Sequence, residues 1–158
     1  MFREIVRARQ ALSRDECVAI LERELRGVLA VQGDDGYPYA LPINHYYCPE
    51  DGHIYFHSGP TGHKMDAIRR CPKASLCVMD GGEPVEGQWY LRFRSVIVFG
   101  EIRPVEDHQR SLDISRALSR KFTDDEAYIE SEVAGSGAHV ACFELIPRHI
   151  TGKLVNER

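Results

Sequence analysis

The twelve residues from 53 to 64, H-I-Y-F-H-S-G-P-T-G-H-K, concentrate the side chains of this sequence that could bind a ligand. An extended segment, a glycine-rich turn and a helix start follow one another here. Unpaired N–H groups of such a turn and the partial positive charge of a helix N-terminus suit a phosphate. Ser58, Thr61 and Gly62 would supply hydroxyl and amide donors, and Lys64 a full charge. A plain loop with a solvated lysine explains the same local pattern equally well.

His57 is the candidate catalytic side chain of this segment. Alternation along an extended chain places His57 and Tyr55 on one face and Ile54 and Phe56 on the other. A planar ligand covering the first face would therefore meet an imidazole and a phenol. A histidine on the surface of a half-exposed strand is the simpler alternative.

Metal and thiol chemistry find little support in the sequence. His53, His57 and His63 lie close together in the chain, but no acidic or cysteine ligand is placed with them. The five cysteines are odd in number and form no C-x-x-C pair, which argues against a zinc site and a disulfide framework. We therefore predict no metal.

A second candidate segment is P-Y-A-L-P-I-N-H-Y-Y, residues 38–47. Its prolines cannot donate to a β-ladder, so they belong at an edge or a bulge where backbone groups stay free. The backbone of Pro42, Ile43 and Asn44 could then line a planar ligand. The requirements of an edge strand explain the prolines without any ligand.

A third segment, W-Y-L-R-F-R-S-V-I-V-F-G at residues 89–100, alternates strictly. One face would carry Leu91, Phe93, Ser95, Ile97 and Phe99, and the other Arg92, Arg94, Val96 and Val98. We assign most of these side chains to core packing and to a contact between subunits. Arg94 and Ser95 are the polar exceptions and are kept as candidate site residues.

The elements that position these segments are mostly extended. Strands are predicted at residues 28–32, 37–47, 53–58, 74–79, 89–105 and 139–151. Helices are predicted at residues 13–26, 63–71, 107–122 and 124–133. Ser13 and Glu16 have the capping-box spacing, and Gly27 is expected to end the first helix. Without βαβ alternation or a repeat, the six strands favour an antiparallel barrel in a mainly β protein with short helices.

The totals restrict the classes of protein further. A length of 158 residues fits one domain, 1–158, and an apolar fraction of 43% with 28% charged residues is ordinary for a globular chain. The net charge of −4 and the scattered basic residues argue against a nucleic-acid partner. No apolar run approaches the ~20 residues that cross a bilayer, and residues 1–10 are charged. We expect a cytoplasmic protein with no membrane partner.

Several motifs in this order resemble one known family: V-L-A-V, G-Y-P-Y-A-L-P-I-N, I-Y-F-H-S-G-P-T-G-H-K-M-D-A-I, F-R-S-V-I-V-F-G and H-I-T-G-K. They are similar to those of the pyridoxamine 5′-phosphate oxidase-like FMN-binding split barrels, and nearest to its 5-nitroimidazole resistance (Nim) branch. The resemblance covers about residues 13–153. It implies a six-stranded antiparallel split β-barrel, and a homodimer with two flavin sites that are each built from both chains.

The resemblance also implies a role for each candidate residue. His57, Ser58, Thr61, Gly62 and Lys64 would hold the FMN phosphate and ribityl chain. The backbone of residues 42–44 would flank the isoalloxazine, and residues 94–95 would close the site from either chain. In the Nim branch the histidine that matches His57 lies beside the flavin where substrate binds.

The expected activity is that of an FMN-dependent oxidoreductase acting on nitroaromatic or related electron-poor small molecules. Electrons would come from NAD(P)H or another cellular donor. The chain ends in H-I-T-G-K-L-V-N-E-R where vitamin B6 oxidases have an R-L-x-P pattern, which argues against that reaction. A flavin carrier or sensor without catalysis, and a member that binds haem or the deazaflavin F420, remain as alternatives.

Overall fold

The computed structural model describes residues 2–136 and 140–156, which form eight β-strands, four α-helices and two short 3₁₀ turns. The strands are β1 (Arg26–Gln32), β2 (Pro38–Asn44), β3 (Tyr46–Tyr47), β4 (Ile54–Ser58), β5 (Lys73–Met79), β6 (Glu83–Pro84), β7 (Leu91–Pro104) and β8 (Ala141–Asn156). The helices are α1 (Arg14–Arg23), α2 (His63–Arg70), α3 (His108–Ser119) and α4 (Glu126–Ser136).

The strands form one antiparallel sheet in the order β2-β1-β5-β7-β8-β4-β3, with β6 paired to β7. The sheet curls into a half-barrel, which confirms the predicted split-barrel fold of a mainly β protein with short helices. Eight strands are present where six were predicted, because two-residue β6 is additional and the predicted strand 37–47 is divided into β2 and β3. The last strand extends to Asn156, past the predicted end at 151, while the predicted start at His139 lies outside the described residues.

The division of strand 37–47 falls at His45, and it has a topological cause. β2 lies at one end of the sheet order and β3 at the other, so this single residue carries the chain across the opening of the curled sheet. Its side chain is fully buried, and its Nε2 lies 2.9 Å from the carbonyl oxygen of Leu21 in α1. The barrel is therefore closed by the chain itself, since no ladder joins β2 to β3.

The helix α1 crosses the sheet interior and begins as predicted. Ser13 and Glu16 form a complete capping box. The helix ends at Arg23, however, and the prediction that Gly27 ends it is wrong. Gly27 lies in β1, where a β-carbon would come within 2.8 Å of the carbonyl oxygen of Cys77 in β5. The glycine is required for strand-to-strand approach and does not cap the helix.

The two faces of the sheet have different surroundings. The inner face forms the main core around side chains that include Leu29, Phe56 and Val96. Outside, α3 covers part of β4, and Tyr55 is only 3% exposed. Around β1, β5 and β7 the outer face is open. None of the helices in the described part of the chain is long and apolar enough to span a membrane.

Candidate functional site

The loop between β4 and α2 forms the first part of the candidate site. It runs from Ser58 at the end of β4 to Gly62, which precedes α2 with φ of 111°. Arg69 from the same helix fixes the loop by donating from Nη2 to the carbonyl oxygen of Pro60 at 3.3 Å. Gly62 offers no side-chain cap, so the first amides of α2 stay open to an external acceptor. The Thr61 side chain is exposed beside them.

Lys64 lies in the first turn of α2, as the sequence predicted, and its side chain is half-buried. Among the described residues it forms no hydrogen bond or ion pair, and burial lowers the pKa of its ammonium group. A cation without a partner at the positive end of a helix is unfavourable on two counts, desolvation and the helix dipole. A bound anion would relieve both.

His57 follows Phe56 on β4 and lies within electrostatic reach of Lys64. Crowding by protein atoms lowers the pKa of its ring, and the charge of Lys64 lowers it further. The imidazole is therefore neutral at pH 7, with one nitrogen that donates and one that accepts. Its ring is solvent-accessible and lies between two cavities.

The first cavity has a volume of about 420 Å³, and its wall is formed by Arg26, Pro42, Ile43, Asn44 and His57. It thus brings together three of the predicted β2 residues and the predicted catalytic histidine. The common wall arises because β2 and β4 face each other across the opening of the half-barrel.

Arg26 is the residue of this cavity that sequence reasoning missed. Its Nε donates to Oδ1 of Asn44 at 2.8 Å across the β1–β2 ladder. The helical pattern of residues 13–26 had placed Arg26 at the end of a helix, whereas it opens β1. The sequence did contain a signal for Arg26. If the register of the β1–β2 hairpin is extended to its base, the residue opposite Asn44 must belong to a strand, and that residue is Arg26.

The second cavity has a volume of about 200 Å³ and shares His57 with the first. It lies between β4, the beginning of β8 and the helices α3 and α4. Its other walls are Leu112, Ser115, Leu118, Ser119, Tyr128, Glu132, Val133 and Val140. The sequence had predicted both helices but assigned no site to them.

Arg94 and Ser95 are not brought to His57 within one chain. Arg94 is held by Oδ2 of Asp80 at 3.3 Å and by Oε1 of Glu83 at 3.4 Å. Ser95 lies on the open outer face of β7 opposite Lys153 of β8, whereas His57 pairs with Cys142 near the other end of β8, roughly 36 Å away along that strand. Their assignment to the site stays a prediction that requires a second chain.

A second histidine–lysine pair is buried at the barrel closure. Nζ of Lys121 donates to the carbonyl oxygens of Glu24 at 2.6 Å, His45 at 3.0 Å and Leu21 at 3.4 Å. Burial lowers the pKa of Lys121 to about 8, while the negative charges of Glu24 and Glu22 oppose that shift. Burial and the charge of Lys121 lower the pKa of His45 to about 4. Nδ1 of His45 is buried and has no hydrogen-bond partner in the described part of the chain.

The donors around residues 57–64 suit an anionic group better than a metal ion. They are amides, hydroxyls and an ammonium group, which donate hydrogen bonds to phosphate oxygens. The described residues include no group of three or more histidine, cysteine or carboxylate side chains that could hold a metal ion. A phosphate-bearing cofactor therefore fits this loop.

Solved structures of similar fold place the chain among known proteins. A protein from Bacteroides thetaiotaomicron proposed to confer 5-nitroimidazole antibiotic resistance superposes with a TM-score of 0.77 at 19% identity, covering 92% of this chain and 87% of that one. An FAD-binding protein from Mesorhizobium loti gives 0.69 at 23% identity, covering 92% and 97%. The FAD and heme binding protein of Mycobacterium smegmatis gives 0.73 at 19% identity, covering 94% and 74%.

These likenesses establish the fold. No curated protein matches the chain significantly. The sequence pattern of one family, described as pyridoxamine 5′-phosphate oxidase, matches residues 13–154, a stretch that includes every strand but the end of β8. The chain therefore belongs to the pyridoxamine 5′-phosphate oxidase family.

Proposed function

We propose that this protein binds FMN and uses it to reduce small electron-poor compounds, nitroaromatic compounds among them. The observation that carries the proposal is Lys64 at the start of α2, one loop away from His57. Lys64 is a half-buried cation that has no hydrogen-bond or ion-pair partner among the described residues. Phosphate binding there would restore the charge balance that burial disturbs. The 5-nitroimidazole resistance protein of similar fold supports the choice of substrate.

Some of the site residues bind the cofactor, and others act on the substrate. Lys64, Ser58 and Thr61 bind the phosphate with the first amides of α2. The backbone of Pro42 and Ile43 orients the ring system in the first cavity. A bound flavin would supply hydride and electron transfer, which no protein side chain provides.

Arg26 and His57 both line the first cavity, where the ring system would be held. Arg26 fixes the Asn44 amide through its 2.8 Å hydrogen bond. His57, neutral at pH 7, holds a proton on one ring nitrogen and can donate it to a substrate oxygen.

A second copy of the chain completes the proposed site. The outer face of β1, β5 and β7 exposes apolar side chains, with Ile97 at 39% and Phe99 at 40%. Ser95 lies on the same face. A stable dimer buries more than ~1,000 Å² in total, and this face continues to the rim of the first cavity at Pro42. Sedimentation in the presence of FMN is expected to give a dimer, and a monomer would contradict the shared site.

The deciding experiment is a flavin titration followed by turnover. Protein mixed with FMN, FAD or riboflavin should quench flavin fluorescence, most tightly with FMN, and the loaded protein should oxidise NAD(P)H when a nitro compound is added. Unchanged fluorescence at saturating FMN would refute the proposal. Flavin binding without turnover would instead identify a carrier or sensor.

Haem is the second candidate because the Mycobacterium smegmatis protein of the same fold binds both FAD and haem. A Soret band on addition of haem, with no flavin response, would favour it. His57 would then be the side chain to test as an axial ligand.

A further inference from the structure

Arg26 supplies the formal charge of the first cavity. Of the described residues that line this cavity, it is the one that is charged at pH 7. The other side chains of the wall are those of Pro42, Ile43 and Asn44 and the neutral imidazole of His57. None of these lining residues is a carboxylate, so a ligand in the cavity meets a positive charge and no negative one.

The hydrogen bonding of Arg26 leaves most of its guanidinium group available to such a ligand. Its Nε donates to Oδ1 of Asn44 at 2.8 Å, and Asn44 is neutral. A guanidinium group has five N–H donors, and the four on Nη1 and Nη2 have no acceptor among the described residues. The bond to Asn44 therefore fixes the side chain at the cavity wall without neutralising its charge.

The charged groups on either side of Arg26 already have partners of their own. Nε of Arg23 donates to Oε1 of Glu24 at 2.9 Å, and Nζ of Lys121 donates to the carbonyl oxygen of Glu24 at 2.6 Å. Arg94, by contrast, is held by two carboxylates on the outer face of the sheet. A cation that is held only by a neutral amide favours negative charge in the cavity that it lines.

We propose that Arg26 sets the reduction potential of the bound flavin by stabilising the negative charge that the ring system gains on reduction. This inference rests on the proposed function, which places the ring system in the first cavity. Two electrons and one proton from the reductant give the neutral isoalloxazine one net negative charge, which lies around N1 and the C2 carbonyl group. Arg26 therefore stabilises the reduced form more than the oxidised form and raises the potential.

The test compares the midpoint potential of FMN bound to the parent protein and to Arg26→Gln, by anaerobic titration with dithionite against a reference dye. Arg26→Gln removes the charge and keeps a hydrogen-bond donor. It should reduce the preference for reduced over oxidised FMN roughly tenfold, because a charge-assisted hydrogen bond becomes a neutral one. For a two-electron couple, tenfold corresponds to a fall of about 30 mV. An unchanged potential would overturn the inference.

Further variants separate the charge from the structure. Arg26→Lys keeps the charge and should retain most of the potential, and Arg26→Met is a second neutral variant if Arg26→Gln does not fold. Asn44→Ala breaks the same 2.8 Å hydrogen bond but leaves the charge, so its potential should fall by less than half as much as that of Arg26→Gln. An equal fall would assign the effect to the placement of β2 and would overturn the inference.

Arg14→Gln is the matched control, because Arg14 is an exposed arginine at the start of α1. Its removal should leave the potential unchanged. A fall as large as that of Arg26→Gln would indicate a general effect of net charge and would contradict a specific role for Arg26.

The outcomes distinguish the role of Arg26 from the proposed function. If FMN does not bind to the parent protein, both are wrong. If FMN binds and Arg26→Gln leaves its potential unchanged, only the role of Arg26 is wrong. Arg26→Gln should also change the affinities for oxidised FMN and riboflavin equally. A loss confined to FMN would place Arg26 at the phosphate and overturn the inference.

Discussion

The molecule contains two histidine–lysine pairs that differ only in their surroundings. At the barrel closure, Lys121 donates to three backbone carbonyls and lies beside a fully buried His45. At the candidate site, Lys64 and His57 form no hydrogen bond or ion pair with any described residue, and His57 faces two cavities. In both pairs the lysine lowers the pKa of the histidine.

A lysine whose ammonium group is hydrogen-bonded to protein acceptors serves structure, and a lysine whose ammonium group has no such acceptor suits a ligand. A lysine with three acceptors has nothing to offer a ligand. A lysine that is desolvated without acceptors favours any anion that reaches it. Substitutions of Lys121, His45 and Lys64 test whether the two pairs divide in this way.

The largest effect is expected at Lys121. Lys121→Met should lower the free energy of unfolding by roughly 3–4 kcal/mol, because buried carbonyls at the end of α1 lose a charged donor. Chemical denaturation measures this loss, with Lys73→Met on the exposed surface of β5 as the matched control. A loss below about 1 kcal/mol would mean that the closure does not depend on this ammonium group.

Acid should destabilise the parent protein through His45. The pKa of His45 in the folded state is about 4, below the ordinary 6.5, so the unfolded chain binds the proton more readily between these values. Stability is therefore complete above pH 6.5 and falls by about 3 kcal/mol as the pH approaches 4. His45→Gln keeps a donor for Leu21 but does not titrate, and its stability should depend much less on pH from 6.5 to 4.5. An equally steep loss in that variant would assign the acid sensitivity elsewhere.

Lys64→Ala should weaken FMN binding ten- to a hundredfold, or ~1.5–3 kcal/mol, because it removes a charge-assisted hydrogen bond to phosphate. Riboflavin has no phosphate and should bind almost unchanged. Fluorescence titration of both flavins gives the comparison, with Lys73→Ala as the control. Equal losses for the two flavins would indicate disturbed folding.

The smallest effect is the stability of the same variant without flavin. Lys64→Ala should change the free energy of unfolding by at most ~0.5 kcal/mol, and in the stabilising direction, since a cation leaves the positive end of α2. A clear loss of stability, as large as that of Lys121→Met, would erase the distinction between the two pairs.

Much of this arrangement could be predicted from the sequence, because it follows from local chemistry. The Ser13–Glu16 capping box, the turn after β4 and the helix that starts at His63 all depend on neighbouring residues. The alternation in β7 also correctly divided its side chains between two faces, and the structure shows that Val96 and Val98 face inward while Ile97 and Phe99 face outward.

The remainder depends on distant contacts. The helical pattern of the preceding residues extends to Arg26. In the structure, Arg26 instead pairs with Asn44 in the β1–β2 ladder, and this long-range contact determines its conformation. His45 lies in a stretch of high β propensity, so local sequence does not predict a break there. The strand is interrupted because β2 and β3 lie at opposite ends of the sheet order. The second cavity needed the packing of α3 and α4 over His57, which no local pattern encodes.

The passage from β2 to β3 through His45 bears on how the protein folds. A barrel normally closes by bringing together strands that are far apart in the chain, at a cost in loop entropy that grows with the length of the loop. Here the first and last strands of the sheet order are neighbours in the chain, so closing the ring requires no long search. The edges of β2 and β4 near Asn44 and His57 then need no hydrogen bonds to hold them together, and the gap between them is free to admit a ligand.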